Sequence, residues 1–190
     1  MALIYLIRHA KPAVTWGDLG EPDPGLGEIG LGQAKAAAGQ LMDLPPSERP
    51  SAVVSSPLRR CRETAAPFAS LLGVPVTIEE GVGEIPTPAS LAFEDRPTWL
   101  YASLAGRWDE IEGDADYPAW RDAVVETVKR YPGAAIFSHF VAINAVAAVL
   151  LDDPRTTPFH PDHASITRLE LVDGRLILLE KGREAETGVL

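Results

Sequence analysis

Two short apolar runs each end on a polar residue and then a histidine: ALIYLI leads into Arg8-His9, and AAIF leads into Ser138-His139. A third run, Ala52 to Val54, leads into SSPLRRCRE, which carries Arg59, Arg60 and Arg62. Neutral imidazole is a nucleophile when one ring nitrogen is held by a hydrogen bond and the other keeps its lone pair. Guanidinium is the side chain of choice for an anionic tetrahedral group, because its planar fork donates two bonds and stays charged. Phosphoryl transfer asks mainly for positioning and for cations around the equatorial oxygens. If the three runs are parallel strands, their carboxyl ends share one sheet edge, where open α/β folds place ligands.

The arginine block carries further information. Ser56 is a candidate N-cap and Pro57 suits a first helical position, which puts Arg59, Arg60 and Arg62 in the opening turn. Cations there oppose the helix dipole, at about 0.3–1 kcal/mol each when exposed. Breaking that rule three times suggests an anion bound at the helix start; the alternative is surface arginines paired with Glu63. Ser138 is likewise a candidate cap for the helix after His139, whose dipole would hold that imidazole toward neutrality.

The elements that must position these groups follow from periodicity. Strands are predicted at Leu3 to Ile7, Ala52 to Ser55, Val74 to Ile78, Ala134 to Phe137, Ser165 to Val172 and Leu176 to Glu180. The continuous apolar runs among them fit strands covered on both faces. The last two flank Asp173-Gly174, a hairpin signal. Helices are predicted at Glu28 to Leu44, along the stripe Leu58, Cys61, Ala65, Phe68 and Leu72, at Trp120 to Tyr131, and at Phe140 to Leu151. Pro67 should kink or shorten the second of these. The expected fold is therefore α/β: a three-layer α/β/α sandwich on a mostly parallel central sheet with a terminal antiparallel hairpin.

A chain of 190 residues suits a single domain. Residues 81–117, with Pro86, Pro88 and Pro97 and an acidic run from Asp109 to Asp116, read as a cap-like insertion folding over one sheet edge. Trp16, Trp99, Tyr101 and Trp108 would line that cap or simply pack, and the polar tail from Gly182 is expected to be loosely held. The net charge of -10, from 17 basic and 27 acidic residues, argues against nucleic acid and anionic membranes as partners. One cysteine, Cys61, excludes an internal disulfide framework and fits a core position. With no leader segment evident and no apolar stretch near the ~20 residues of a membrane span, the expected location is cytoplasmic.

Two apparent motifs carry less than they suggest. GLGEIG, from Gly25 to Gly30, matches a dinucleotide fingerprint but follows a proline-containing loop instead of a strand. Gly27-Glu28 reads instead as the start of the next helix. His160, Asp162 and His163 in HPDHASIT lack the spacing of a zinc site, and no metal or other cofactor is expected.

LIRHAKP, SSPLRRCRETA and FSHF, in this order and spacing, resemble the histidine phosphatase superfamily, the phosphoglycerate-mutase-like fold, over roughly residues 3–170. The resemblance implies that His9 is the phosphorylated nucleophile and that Arg8, Arg60 and His139 form the phosphate pocket. Glu84 matches the family's proton donor, which must be protonated to act, so its pKa should be raised. Lys11, Arg59, Phe140 and His163 are candidates to contact substrate, His163 from a loop at the site mouth. Ala10 and Phe140 stand where the family usually has glycine, and IPTP after Glu84 departs from the familiar segment. The implied activity is hydrolysis of a phosphomonoester, a small molecule ahead of a phosphoprotein, through a phosphohistidine on His9. The alternatives are a mutase-type phosphotransferase, which the short middle insertion disfavours, and a non-catalytic member binding a phosphorylated ligand or a protein. A homodimer is compatible with all of these.

Overall fold

In a computed structural model, which describes residues 2–14 and 21–185, the apolar runs form one six-stranded sheet. The strands are β1 (Ala2–Arg8), β2 (Ala52–Ser55), β3 (Val76–Ile78), β4 (Ala134–Ser138), β5 (Ile166–Val172) and β6 (Arg175–Glu180), in the spatial order β3-β2-β4-β1-β5-β6. The first four run parallel; β5 pairs antiparallel with β1, and β6 with β5. The expected α/β sheet with its terminal hairpin is therefore the observed one. Asp173 at φ 48° and Gly174 at φ 77° make the hairpin turn, as left-handed residues should.

Alternation along the central strands sorts side chains to two covered faces. Tyr5, Ile7, Val53, Ala135 and Phe137 pack against α1 (Glu28–Asp43) and α2 (Arg59–Leu72). Ile4, Leu6, Val54, Ala134 and Ile136 pack against α4 (Tyr117–Lys129) and α5 (Phe140–Leu151). Central strands buried on both sides need no polar alternation, which is why they read as unbroken apolar runs. The same holds for α5, buried at every position from Phe140 to Ala148.

Several local expectations are corrected. The cap of α2 is Leu58, not Ser56, and the helix begins at Arg59, beyond Pro57. Ser56 is held by the sheet instead, its N–H donating to the Phe137 carbonyl at 3.0 Å. α2 also runs through Pro67 to Leu72. Buried Cys61, Thr64, Ala65, Phe68 and Ala69 lie on both sides of the proline, and their packing outweighs one missing helix bond. The helix closes at Gly73, φ 72°, whose N–H reaches Ala69 and Ser70 carbonyls. His139, not Ser138, is the N-cap of α5, while Ser138 Oγ donates to the Val82 carbonyl at 2.7 Å. β3 starts two positions late at Val76, after Pro75, and α4 starts early at Tyr117 on the Asp116 side-chain cap.

The part of the tail up to residue 185 is bound where a loose tail from Gly182 was expected, and residues 186–190 lie outside the described residues. Asp162 N donates to the Arg183 carbonyl at 2.8 Å, and Ala185 N to the His160 carbonyl at 2.9 Å.

Between β3 and α4 lie turns at Glu80–Val82, Phe93–Asp95 and Trp108–Glu110 and the helix α3 (Arg96–Ala105). This segment packs on the α4 and α5 side: Trp108, 2% exposed, lies 6.0 Å from Trp120, and Trp99 lies 5.9 Å from Tyr117. Those tryptophans pack, whereas Tyr101 is exposed and Trp16 lies outside the described residues. The acidic run serves local bonds, with Asp116 capping α4 and Asp109 and Glu110 pairing with Arg107. Among the described residues no helix is long and apolar enough to cross a membrane.

Candidate active site

The carboxyl ends of β1, β2 and β4 deliver His9, the start of α2 and His139 to one place. His9 N–H donates to the Ser138 carbonyl at 2.9 Å, which ties the two histidine segments together directly beyond the Arg8–Ser138 register pair. The His9 and His139 rings lie 5.3 Å apart, edge to face.

His9 is 6% exposed, and its Nδ1 lies 2.9 Å from the Ala10 carbonyl oxygen. A carbonyl only accepts, so the proton sits on Nδ1 and Nε2 keeps its lone pair. Burial, reinforced by the charges of Arg60 and Arg8 and by His139, pushes the His9 pKa well below the usual histidine value. The ring is therefore neutral at pH 7. Thr64 fixes the next residue, its Oγ1 accepting from Ala10 N at 2.9 Å while donating to the Arg60 carbonyl at 2.6 Å.

His139 is fully buried and bonded at both ring nitrogens. Arg60 Nη2 donates to Nδ1 at 3.2 Å, so the proton is on Nε2, which donates to Ser56 Oγ at 2.8 Å. Cys61 Sγ lies 3.4 Å from that Nε2 and 3.4 Å from the Ser138 carbonyl, so this buried thiol forms part of the wall around His139. Burial first, then Arg60 and Arg8, hold His139 neutral.

Arg8 and Arg60 are the cations of the site, 3% and 4% exposed. Arg8 stacks over the Phe140 ring at 5.1 Å and donates from Nη1 to the Pro161 carbonyl at 2.9 Å, while its buried Nε has no partner among the described residues. Burial lowers the Arg8 pKa to about 10 despite the pull of Glu84 and Asp162. Among the described residues Arg60 meets carboxylates only at long range, Glu84 at 3.8 Å and Asp23 at 3.9 Å. Buried charges normally have close partners, because desolvation costs several kcal/mol each. Among the described residues neither guanidinium has a close carboxylate, an arrangement whose chemistry suits an anion.

Glu84 follows the turn after β3 and reaches into this cluster. Oε1 accepts from Ile85 N at 3.1 Å, and Oε2 lies 3.4 Å from His139 Nδ1. Burial raises its pKa against the opposing pull of Arg60, the Ile85 N–H and Arg8. The expected raised pKa is thus present, with burial as its cause.

The remaining candidates divide. His163 is 8% exposed, packs 5.5 Å from the His9 ring and bonds the His9 carbonyl through Nδ1 at 3.1 Å. It supports His9 from within; the mouth position expected from sequence is not where it sits. Burial, then Arg8, lowers its pKa to about 4. Phe140 forms the platform under Arg8. Arg59 points outward to Glu63 at 2.7 Å and Glu21 at 3.6 Å, the ion-paired alternative for that residue. Lys11 is exposed, held through its backbone N–H to Gln33 Oε1 at 2.9 Å. His160 is exposed against the edge of Phe140 at 6.0 Å. Among the described residues no group of three or more His, Cys, Asp or Glu side chains is placed to hold a metal ion.

Sequence reasoning missed the site roles of Ser56, Thr64, Cys61 and Asp23. The first three lie inside SSPLRRCRETA, and Thr64, one helical turn after Arg60, was readable as sharing its face. Asp23, whose carboxylate accepts the Arg59 N–H at 2.9 Å, carried no signal in the chain. The glycines of GLGEIG have a packing reason: a side chain at Gly30 would strike the Lys11 carbonyl oxygen, and one at Gly25 the Arg59 and Glu63 side chains.

A mixed sheet with two histidines, two buried arginines and a raised-pKa carboxyl at its carboxyl edge defines a phosphate-site α/β protein. The family model of the histidine phosphatase superfamily (branch 1) matches residues 4–182, and the chain belongs to that family. Among solved structures, the phosphoserine phosphatase of Entamoeba histolytica with 3-phosphoglyceric acid superposes with a TM-score of 0.74 at 22% identity, covering 96% of this chain and 98% of that one. A mycobacterial glucosyl-3-phosphoglycerate phosphatase with VO3 gives 0.70 at 25% identity, covering 97% and 100%. A curated relative, the transcription factor tau 55 kDa subunit of Saccharomyces cerevisiae, is 33% identical over 123 residues, 56% of this chain. The match spans only 27% of that subunit's length.

Proposed function

We propose that the protein is a phosphatase that hydrolyses a small phosphomonoester through a phosphohistidine on His9. The observation that carries this reading is the His9 ring, protonated on Nδ1 by its bond to Ala10 and flanked by two guanidiniums that have no close carboxylate among the described residues. In the first step Nε2 attacks phosphorus and the bond from phosphorus to the ester oxygen breaks. Arg8 and Arg60 hold the equatorial oxygens and offset the charge that builds on them. The dianion also offsets the charges of Arg60 and Arg8, which add to the burial that keeps His139 neutral.

Glu84, protonated because burial raises its pKa, gives its proton to the departing oxygen and releases the alcohol. As a carboxylate it then accepts a proton from water while that water attacks the phosphohistidine. Phosphate leaves, and His9 and protonated Glu84 are restored. Support for a small phosphorylated substrate comes from the neighbours named above, phosphatases for phosphoserine and for glucosyl-3-phosphoglycerate.

A non-catalytic reading, in which the pocket only binds, draws on Phe140 and Ala10 as site walls and on the partial likeness to a transcription factor subunit. Incubation with labelled aryl phosphate in EDTA decides between the two. The phosphatase reading expects acid-labile, base-stable label on the protein that His9→Ala removes. Phosphate binding without turnover or label would establish the other.

A further inference from the structure

The chain segment 161–165 lies along the back of the Arg8-His9 pair and holds it at four points. Arg8 Nη1 donates to the Pro161 carbonyl at 2.9 Å, and His163 Nδ1 to the His9 carbonyl at 3.1 Å. Ala164 N donates to the Arg8 carbonyl at 3.1 Å, and Arg8 N to the Ser165 carbonyl at 3.3 Å. Ala164 does this at φ 56°, a left-handed conformation that a residue with a side chain adopts only when its surroundings enforce it.

Ala164 packs against Ala10, Ala34 and Ala37 on one side. A cavity of about 270 Å³ adjoins the segment, lined by Gln33, Gln40, His163, Ser165, Lys181 and Arg183. Ser165 Oγ is buried without a partner among the described residues.

What holds the segment is Asp162 and the tail. Asp162 Oδ1 accepts the His163 N–H at 2.7 Å, and its carbonyl accepts the Ser165 N–H at 3.1 Å, which shapes the turn. Its Oδ2 accepts from Arg183 Nη2 at 2.7 Å and Nε at 3.1 Å. Its own N–H donates to the Arg183 carbonyl at 2.8 Å, beside the Pro161–Glu184 bridge. An exposed ion pair alone contributes little. Here it is combined with backbone bonds and sits one residue from the imidazole that bonds the His9 carbonyl.

We propose that Asp162 and Arg183 form a latch, through which the tail after β6 sets the position of the nucleophile His9. Both are positioning residues, acting through His163 and the 161–165 backbone. The latch rests on His9 being the nucleophile, so its test carries a readout independent of turnover.

Arg183→Ala, Asp162→Ala and the double variant are made in the full chain, with Arg183→Lys as the conservative exchange. A misplacement well under 1 Å at the attacking nitrogen suffices for a rate loss on the order of tenfold. The expected result is kcat on an aryl phosphate down about tenfold, KM within about twofold, and the double variant no worse than Asp162→Ala. Arg183→Lys should recover part of the loss. In parallel, the His9 Nδ1 proton, followed by nitrogen-edited NMR, should shift and exchange faster in the alanine variants.

Unchanged kcat with only a lower melting temperature would reduce the pair to a stability role and overturn the latch. So would a loss confined to KM, or an unmoved His9 signal. If the unaltered protein forms no phosphohistidine, the enzyme reading fails, and the NMR arm still decides whether the tail positions His9.

Discussion

Each titratable side chain in the site has its protonation set by a neighbour that can be named. Ala10 fixes the tautomer of His9, Arg60 and Ser56 fix that of His139, and burial keeps Glu84 protonated above the usual carboxyl range. The pH dependence follows with a definite sign. The proposed mechanism needs His9 neutral and Glu84 protonated, so kcat/KM should fall at high pH as Glu84 ionises and hold into the acid range until His9 protonates. Glu84→Gln keeps the shape but cannot give up a proton. It should lower kcat on an alkyl phosphate by about 10²–10⁴ and flatten the alkaline side of the profile, as a pH series of initial rates will show. An alkaline side unchanged in that variant would assign the donor elsewhere. Ser56→Ala would strip the partner from a buried His139 N–H, a cost of about 1–3 kcal/mol read in urea unfolding.

At the scale of elements, the site depends on how closely α1 and α2 approach the loop after β1. Gly30 in the first turn of α1 faces the Lys11 carbonyl, so Gly30→Ala must push the helix and the His9 loop apart. Overpacking against rigid backbone costs about 1–3 kcal/mol, and the variant should lose both melting temperature and kcat. Gly32→Ala on the same helix, where a side chain meets open space, should instead leave both unchanged or slightly raise stability. The sequence misplaced the start of α2 for a related reason. Ser56 and Pro57 have the chemistry of a helix cap, but β-sheet and histidine bonds claim Ser56 first, so the helix begins at Arg59. A local preference of about 1 kcal/mol yields when a buried imidazole needs the same hydroxyl. The helix through Pro67 reflects the same balance, with the buried stripe winning over the breaker.

At the scale of the molecule, the fold stores positive charge and neutral histidines in the interior of a chain whose net charge is -10. His9, His139 and His163 are all held below the ordinary histidine value of 6.5 by burial and arginine charge. The unfolded chain takes up those protons near 6.5 while the folded one does not, so stability present above that pH is lost as pH falls. Each histidine adds a slope of up to about 1.4 kcal/mol per pH unit, and the His163 share ends near its folded pKa of about 4. Glu84 works oppositely, one raised carboxyl against three lowered imidazoles. Urea unfolding should therefore give a lower free energy at pH 5.5 than at pH 7.5. Vanadate or phosphate should raise it, by about 2.7 kcal/mol at one hundred times the dissociation constant, and this gain should be lost in Arg60→Ala. The sheet, its two covered faces, the closing hairpin and the convergence of His9, His139 and the arginine block were legible in the chain, because each rests on short-range periodicity and on strand ends sharing one edge; the choice of Arg60 within that block came from the family resemblance. The partner of every polar atom was not. That Ser56 serves His139, that Asp23 sits on the α2 N-terminus, that Arg59 turns outward, and that the tail clamps Asp162 behind His9 were decided by tertiary structure alone. Those contacts join positions far apart in sequence, and competition for a buried hydrogen bond is settled only once the layers have closed.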